Sequence, residues 1–147
     1  MEDFEPEPGM HTLNELEALP ENQRAELIDG EIFLISSPTP EHQELVGELY
    51  AEIRDHLRAR KADCRAYVAP LTVYLDSKKT KRHSVEPDVF VVCDPDKKHK
   101  DGIYGAPDWV IEVLSPSTAS KDRLLKAYWY EAFGVKEYCV EPHIIIA

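Results

Sequence analysis

Two segments constrain this chain more than any other: residues 88–93, DVFVVC, and residues 108–114, DWVIEVL. Each is almost continuously apolar over the length of a strand, the pattern of strands covered on both faces. Two such strands need helices packed above and below them. Leu45, Leu49, Ile53 and Leu57 recur every four residues, with Val46 and Tyr50 beside them, which predicts a helix over 41–60 with one buried stripe. A second helix is expected from Thr118 to Ala132, stopped by Gly134. Thr12 caps a short helix, with Glu15 completing a capping box and Pro20 ending it. Residues 25–35 read as a hairpin about Asp29-Gly30. Residues 64–76 read as a strand broken at Pro70, 94–107 as a polar connection and 136–140 as a last strand. The fold class is therefore α/β of the mixed α+β kind, with a central mixed sheet flanked by helices. It forms one domain over 12–147, after a disordered acidic segment at 1–11.

The same residues exclude several functions. No run of about 18 apolar residues exists, so no membrane span is expected. The acidic start, MEDFEPEPGM, does not read as a secretory signal. Cys64, Cys93 and Cys139 are far apart, odd in number and without a CxxC pair, and they read as free thiols of a cytoplasmic protein rather than a zinc site. The net charge of −11 argues against nucleic acid until its distribution is considered. Residues 1–31 hold ten Asp or Glu and one Arg, a net of −9, so the other 116 residues carry only −2. Among them lie two basic clusters, Lys78, Lys79, Lys81 and Arg82, and Lys97, Lys98 and Lys100. These are candidate nucleic-acid contacts, or equally two solvated loops.

Glu112 is the most informative residue for chemistry. It stands inside WVIEVL, where a carboxylate is costly to bury unless it is paired or binds a cation. Alternation puts it with Val110 and Leu114 on one face and Trp109, Ile111 and Val113 on the other. Asp88 follows Pro87 at the entry to the neighbouring apolar strand. Two acids on adjacent strands repel unless a cation lies between them, and Mg²⁺ or Mn²⁺ binds in this way, with water and phosphate oxygens completing its shell. Such a site lowers the pKa of a bound water and neutralises charge on a phosphoryl group. Asp122, Lys126 and Tyr130 follow at intervals of four, so Lys126 either pairs with Asp122 on the surface or reaches back as a positive charge to the acids. Glu26, before the Asp29-Gly30 turn, could add a further carboxylate. His42, at the start of the long helix, is either exposed or a catalytic or phosphate-contacting residue.

With these residues in view, EPDVFVVCDPDK, GIYGAPDWVIEVLSPSTASKDRLLKAYWYEAFGVKEYCVEP and AELIDGEIFLISSPTPEHQ resemble the Uma-type family of putative restriction endonucleases over residues 12–142. That family is similar in fold to PD-(D/E)xK nucleases. The resemblance implies a restriction-endonuclease-like fold, Asp88 as the acid of the PD half-motif and Glu112 as the second acid. Leu114 stands where the motif lysine would be, and the family's lysine matches Lys126 on the following helix. Glu26 matches the acid that the first helix or turn supplies. Family members continue past the step at Glu141-Pro142, whereas here an apolar tail, a short strand, a dimer contact or a truncated end, closes the sequence. Pairing of two active sites, as in restriction enzymes, implies a homodimer by analogy.

The resulting expectation is a metal-dependent endonuclease acting on nucleic acid, DNA first. Asp88 and Glu112 hold Mg²⁺ or Mn²⁺, and Lys126 and Glu26 assist. Two alternatives stay open: a catalytically inactive nuclease-like module that binds protein or nucleic acid, and a hydrolase of small phosphorylated substrates.

Overall fold

A computed structural model describes residues 4, 7–76, 82–114 and 120–141. In chain order its helices and strands are α1 (Leu13–Glu17), β1 (Ala25–Ile28), β2 (Glu31–Leu34), α2 (Pro40–Ala59), β3 (Arg65–Val68), β4 (Val73–Tyr74), β5 (His83–Ser84), β6 (Val89–Val92), β7 (Lys98–His99), β8 (Gly102–Tyr104), β9 (Trp109–Val113), α3 (Ser120–Ala132) and β10 (Glu137–Glu141). Lys78, Lys79, Lys81, the 115–118 turn and the 142–147 tail lie outside the described residues.

The two apolar segments form the centre of a four-stranded mixed sheet ordered β10-β9-β6-β3. β9 runs antiparallel to β6, with Val89 opposite Ile111, and parallel to β10. Alternation divides the core as the sequence requires. Val89, Val91, Ile111 and Val113 face α2, where they pack with Val46 and Ile53 and the half-buried Leu45, Leu49 and Leu57. Phe90, Val92 and Val110 face the other way and pack with Leu125 and Tyr130 of α3. The stripe of α2 therefore covers one face of the sheet and α3 the other, so Glu112, in phase with Val110, points toward α3.

Local chemistry sets the boundaries. Thr39 caps α2, its Oγ accepting from the His42 amide at 3.1 Å. Thr12 caps α1 in the same way, but Glu15 turns its carboxylate to His11 (2.6 Å) and the reciprocal half of the expected box is not formed. Asp29 and Gly30 both have positive φ, 46° and 81°, as a two-residue hairpin turn needs. β1 also pairs with β5, giving a second sheet ordered β2-β1-β5.

Three local expectations are revised. The 94–107 connection is structured: β7 and β8 form a hairpin, β8 pairs in parallel with β4, and a side chain at Gly102 (φ 145°) would run into the Thr72 carbonyl. Polar composition hides this strand, because its register is set by β4 rather than by its own apolar residues. Residues 7–11, expected to be disordered, are in part docked on the hairpin turn: Gly9 N–H donates to the Asp29 carbonyl (2.8 Å) and His11 N–H to that of Gly30 (2.7 Å). Cys64 and Cys93 are not free thiols but a disulfide. The β3–β6 register, Arg65 opposite Val92, brings residues 64 and 93 together across a separation of 29 residues that spacing alone does not connect. Cys139 is free, and its sulfur accepts the Trp109 indole N–H at 3.3 Å.

No helix among the described residues is long and apolar enough to cross a membrane.

Candidate metal centre

The β6–β9 register that pairs Val89 with Ile111 brings Asp88, just before β6, opposite Glu112. Pro87 has no N–H to donate at this strand entry, and the Asp88 carbonyl continues the β3–β6 ladder by accepting from Ala69 N–H at 3.1 Å. Backbone groups then fix both acids: Val113 N–H donates to Asp88 Oδ2 (2.8 Å), and Asp88 N–H lies 3.4 Å from Glu112 Oε2. The Asp88 carboxylate lies close enough to Glu112 to raise its pKa.

α3 closes the site from the other side. Lys126 Nζ is 2.7 Å from Glu26 Oε1 and 3.3 Å from Glu112 Oε1, and the Tyr130 hydroxyl donates to the same Glu112 oxygen at 3.2 Å. The four-residue spacing of Lys126 and Tyr130 is what lets both reach one carboxylate. Glu26 comes from β1, where its second oxygen accepts from Glu86 N–H at 2.8 Å. Glu26, Glu112 and Lys126 expose only 4%, 8% and 8% of their surface, so this is a buried cluster rather than a surface pair. Position 114, where a strand lysine would stand, is a half-buried Leu lining the cleft, and the lysine near the acids comes from α3.

The electrostatics follow from the count of charges. Three carboxyls, Glu26, Asp88 and Glu112, meet one ammonium. Burial pushes the Glu112 carboxyl up to about 8, Lys126 pulls it down, and Asp88 and Glu26 raise it further. Glu112 therefore holds a proton where an exposed carboxylate would have none. Burial likewise holds the Tyr130 phenol protonated, as a donor. Two carboxyl groups on adjacent strands are the kind of donor set that could hold a hard divalent cation. Among the described residues no three His, Cys, Asp or Glu side chains form a ready-made metal cage. A Mg²⁺ site completed by water and phosphate oxygens does not require one.

The cluster forms the floor of a cleft of about 220 Å³, walled by Ser36, Ser37 and Pro38 on one side and Ala69 and Pro70 on another. His42 is buried at its edge, with Nε2 3.4 Å from Asp88 Oδ2 and Nδ1 3.1 Å from Gln43 Oε1. Asp88, Glu112, Lys126, Glu26 and His42 are thus brought together. Arg82, Lys97, Lys98 and Lys100 do not line the cleft. Arg82 is engaged with Asp29 (2.9 Å), and Lys97 donates to the Ala106 carbonyl (2.8 Å). Three further residues at the cleft were not singled out from the sequence: Arg24, Glu86 and Arg123. Glu86, raised by burial and lowered by Arg24, directly precedes Pro87-Asp88, so the only available signal was an acid adjoining the motif. The arginines had none.

Comparison with known proteins gives a family and a fold. The profile of the family Uma2, described as "Putative restriction endonuclease", matches residues 12–143. The chain is 29% identical over 103 residues to "Uncharacterized protein slr1290" of Synechocystis sp. (strain ATCC 27184 / PCC 6803 / Kazusa), which covers 70% of this chain and 52% of that relative. The chain thus spans about half the length of that curated relative. Its fold matches a crystal structure of a putative nuclease belonging to DUF820 from Anabaena variabilis ATCC 29413, with a TM-score of 0.70 and 24% identity, over 89% of this chain and 73% of that one.

Proposed function

This chain belongs to the Uma2 family of putative restriction endonucleases, and on that premise we propose that it hydrolyses phosphodiester bonds of nucleic acid, DNA first, with Asp88 and Glu112 holding one Mg²⁺ or Mn²⁺. The observation that carries the reading is geometric: the β6–β9 register sets Asp88 opposite Glu112, each carboxylate accepts a backbone N–H, and both line the cleft. A bound divalent cation supplies Lewis-acid polarisation of a phosphoryl oxygen and a water of lowered pKa. The chain's own groups do the rest. Val113 N–H and the Tyr130 hydroxyl orient the two acids before substrate arrives. Lys126 is the ammonium on the cleft floor, placed to offset negative charge that develops on the phosphate. Glu26 holds that ammonium in position, and Arg24 and Arg123 at the rim meet the flanking phosphates.

The test is thermal unfolding with and without millimolar Mn²⁺, for wild type and Asp88→Ala/Glu112→Ala, beside cleavage of a DNA duplex. A ligand that binds only the folded state contributes about 2.7 kcal/mol at a hundredfold excess over Kd. A Mn²⁺-dependent rise and cleavage, both lost in the variant, support the proposal. Undiminished cleavage by the variant overturns it.

One observation favours a second reading. Lys126 already pairs with Glu26 and lies beside Glu112 from within, as a closed ion-pair cluster does. A nuclease-like binding module without activity would keep that cluster, show no Mn²⁺ response and still bind its partner.

A further inference from the structure

A second concavity lies at the other end of the sheet, and it is basic. It measures about 520 Å³ and is lined by Tyr50, Arg54, Arg58 and Lys61 of α2 and its following turn, and by Asp63 and Arg65 at the start of β3. Four cations thus meet one acid, in a protein whose net charge is −11. Arg54 is engaged by Asp55 (3.1 Å) and lies over the Tyr50 ring. Arg58, Lys61 and Arg65 are exposed, and among the described residues none has a carboxylate within ion-pair distance. Arg65 donates to the Cys64 carbonyl (3.3 Å), which aims its guanidinium without neutralising it. Cations at a helix C-terminus also offset the helix dipole, but that effect falls off within the last turn, whereas Lys61 and Arg65 lie beyond it.

The position of this hollow relative to the cleft gives it meaning. β3 is the edge strand of the central sheet, and its two ends open on the two sites: Ala69 and Pro70 line the cleft, Arg65 and Ala66 the basic hollow. From Arg65 to Pro70 an extended chain covers about 16 Å, or roughly five base pairs of duplex at 3.4 Å each. The outer face of α2 offers no such path, because Glu41, Glu44, Glu48, Glu52 and Asp55 line that helix.

We propose that Arg58, Lys61 and Arg65 form a phosphate-binding subsite that holds the nucleic-acid backbone about five base pairs from the cleft, along the β3 edge. The inference rests on the nuclease reading above and names where the rest of the substrate lies. The basic clusters at 78–82 and 97–100 are not needed for it.

The experiment compares wild type with Arg58→Gln/Lys61→Gln/Arg65→Gln, first checked by circular dichroism to melt at the same temperature. One arm measures binding of a fluorescent 20-base-pair duplex in EDTA at several salt concentrations. The other measures Mn²⁺-dependent hydrolysis of bis(p-nitrophenyl) phosphate, which is small enough to occupy the cleft alone. The expected result is duplex binding weakened about tenfold or more, with the slope of log K against log salt shallower by about 2–3, and hydrolysis of the small diester unchanged. A variant that binds duplex as tightly as wild type, with the same slope, overturns the subsite while hydrolysis leaves the nuclease reading standing. Neither binding nor hydrolysis by wild type overturns the nuclease reading, and the subsite with it.

Discussion

Replacing Glu112 by Gln should make the metal-free protein more stable above neutral pH and leave it unable to respond to Mn²⁺. The unfolded chain releases this proton near 4.5, whereas the folded chain keeps it until about 8. Between those values the folded state binds the extra proton, so stability falls as pH rises and levels off above about 8. At about 1.4 kcal/mol per unit, the shift from 4.5 to about 8 sets a ceiling near 5 kcal/mol. The cleft is open on one side, and relaxation about a newly ionised carboxylate leaves an expected loss of about 2–3 kcal/mol. A Gln amide keeps an acceptor for Tyr130 and Lys126 and gives Asp88 a donor, without a proton to lose. Urea denaturation in EDTA from pH 5 to 9 reads the difference directly. Wild type should lose stability relative to Glu112→Gln across this range, by an amount worth about 6–12 °C in melting temperature at pH 9. At pH 8.5, millimolar Mn²⁺ should restore the wild type and leave the variant unmoved. A stability difference independent of pH would refute the account, because it would mean that Glu112 is ionised in the folded protein throughout.

Lys126→Met should destabilise the protein by about 3–5 kcal/mol, because it strands buried carboxyls; addition of Glu26→Gln should recover part of the loss in the same urea midpoints. His83, packed on the Trp129 and Phe133 rings at 4.8 and 4.9 Å, is held by burial down to about 4. Its neutral form therefore contributes stability that is lost as pH falls from 6.5 toward 4, on the order of 3 kcal/mol, and equilibrium unfolding of His83→Phe should lack that component. Gly9→Ala should cost about 1–3 kcal/mol, since its Cβ would run into the Gly30 carbonyl; an unchanged thermal midpoint would show that the N-terminal segment does not dock in solution.

The central sheet was legible because its signal is local. A strand buried on both faces must be apolar along its length, and DVFVVC and WVIEVL declare themselves without reference to anything else. The α2 stripe and the Asp29-Gly30 turn are local in the same way. The β4–β8 pairing and the Cys64–Cys93 disulfide were not legible, because each depends on which strand lies beside which. A two-residue strand such as Val73–Tyr74 has no period to read, and a pair of half-buried cysteines carries no mark of its partner.

The site divides along the same line, and the division explains its chemistry. Glu112 was conspicuous because burying a carboxyl in an apolar strand demands a reason. Spacing alone favoured a surface pair of Asp122 with Lys126, since i, i+4 partners are always within reach on a helix. The sheet supplies what spacing could not: Glu112 is in phase with Val110, α3 crosses that face, and Lys126 at 3.3 Å and Tyr130 at 3.2 Å converge on one oxygen. A lysine on the strand itself, at position 114, would be fixed to the sheet. A lysine on α3 is set by the helix, and it pairs with Glu26 on β1 at 2.7 Å. With Leu at position 114 the ammonium comes from α3, and its pair with Glu26 joins a third element, β1, to the cluster that β6 and β9 begin.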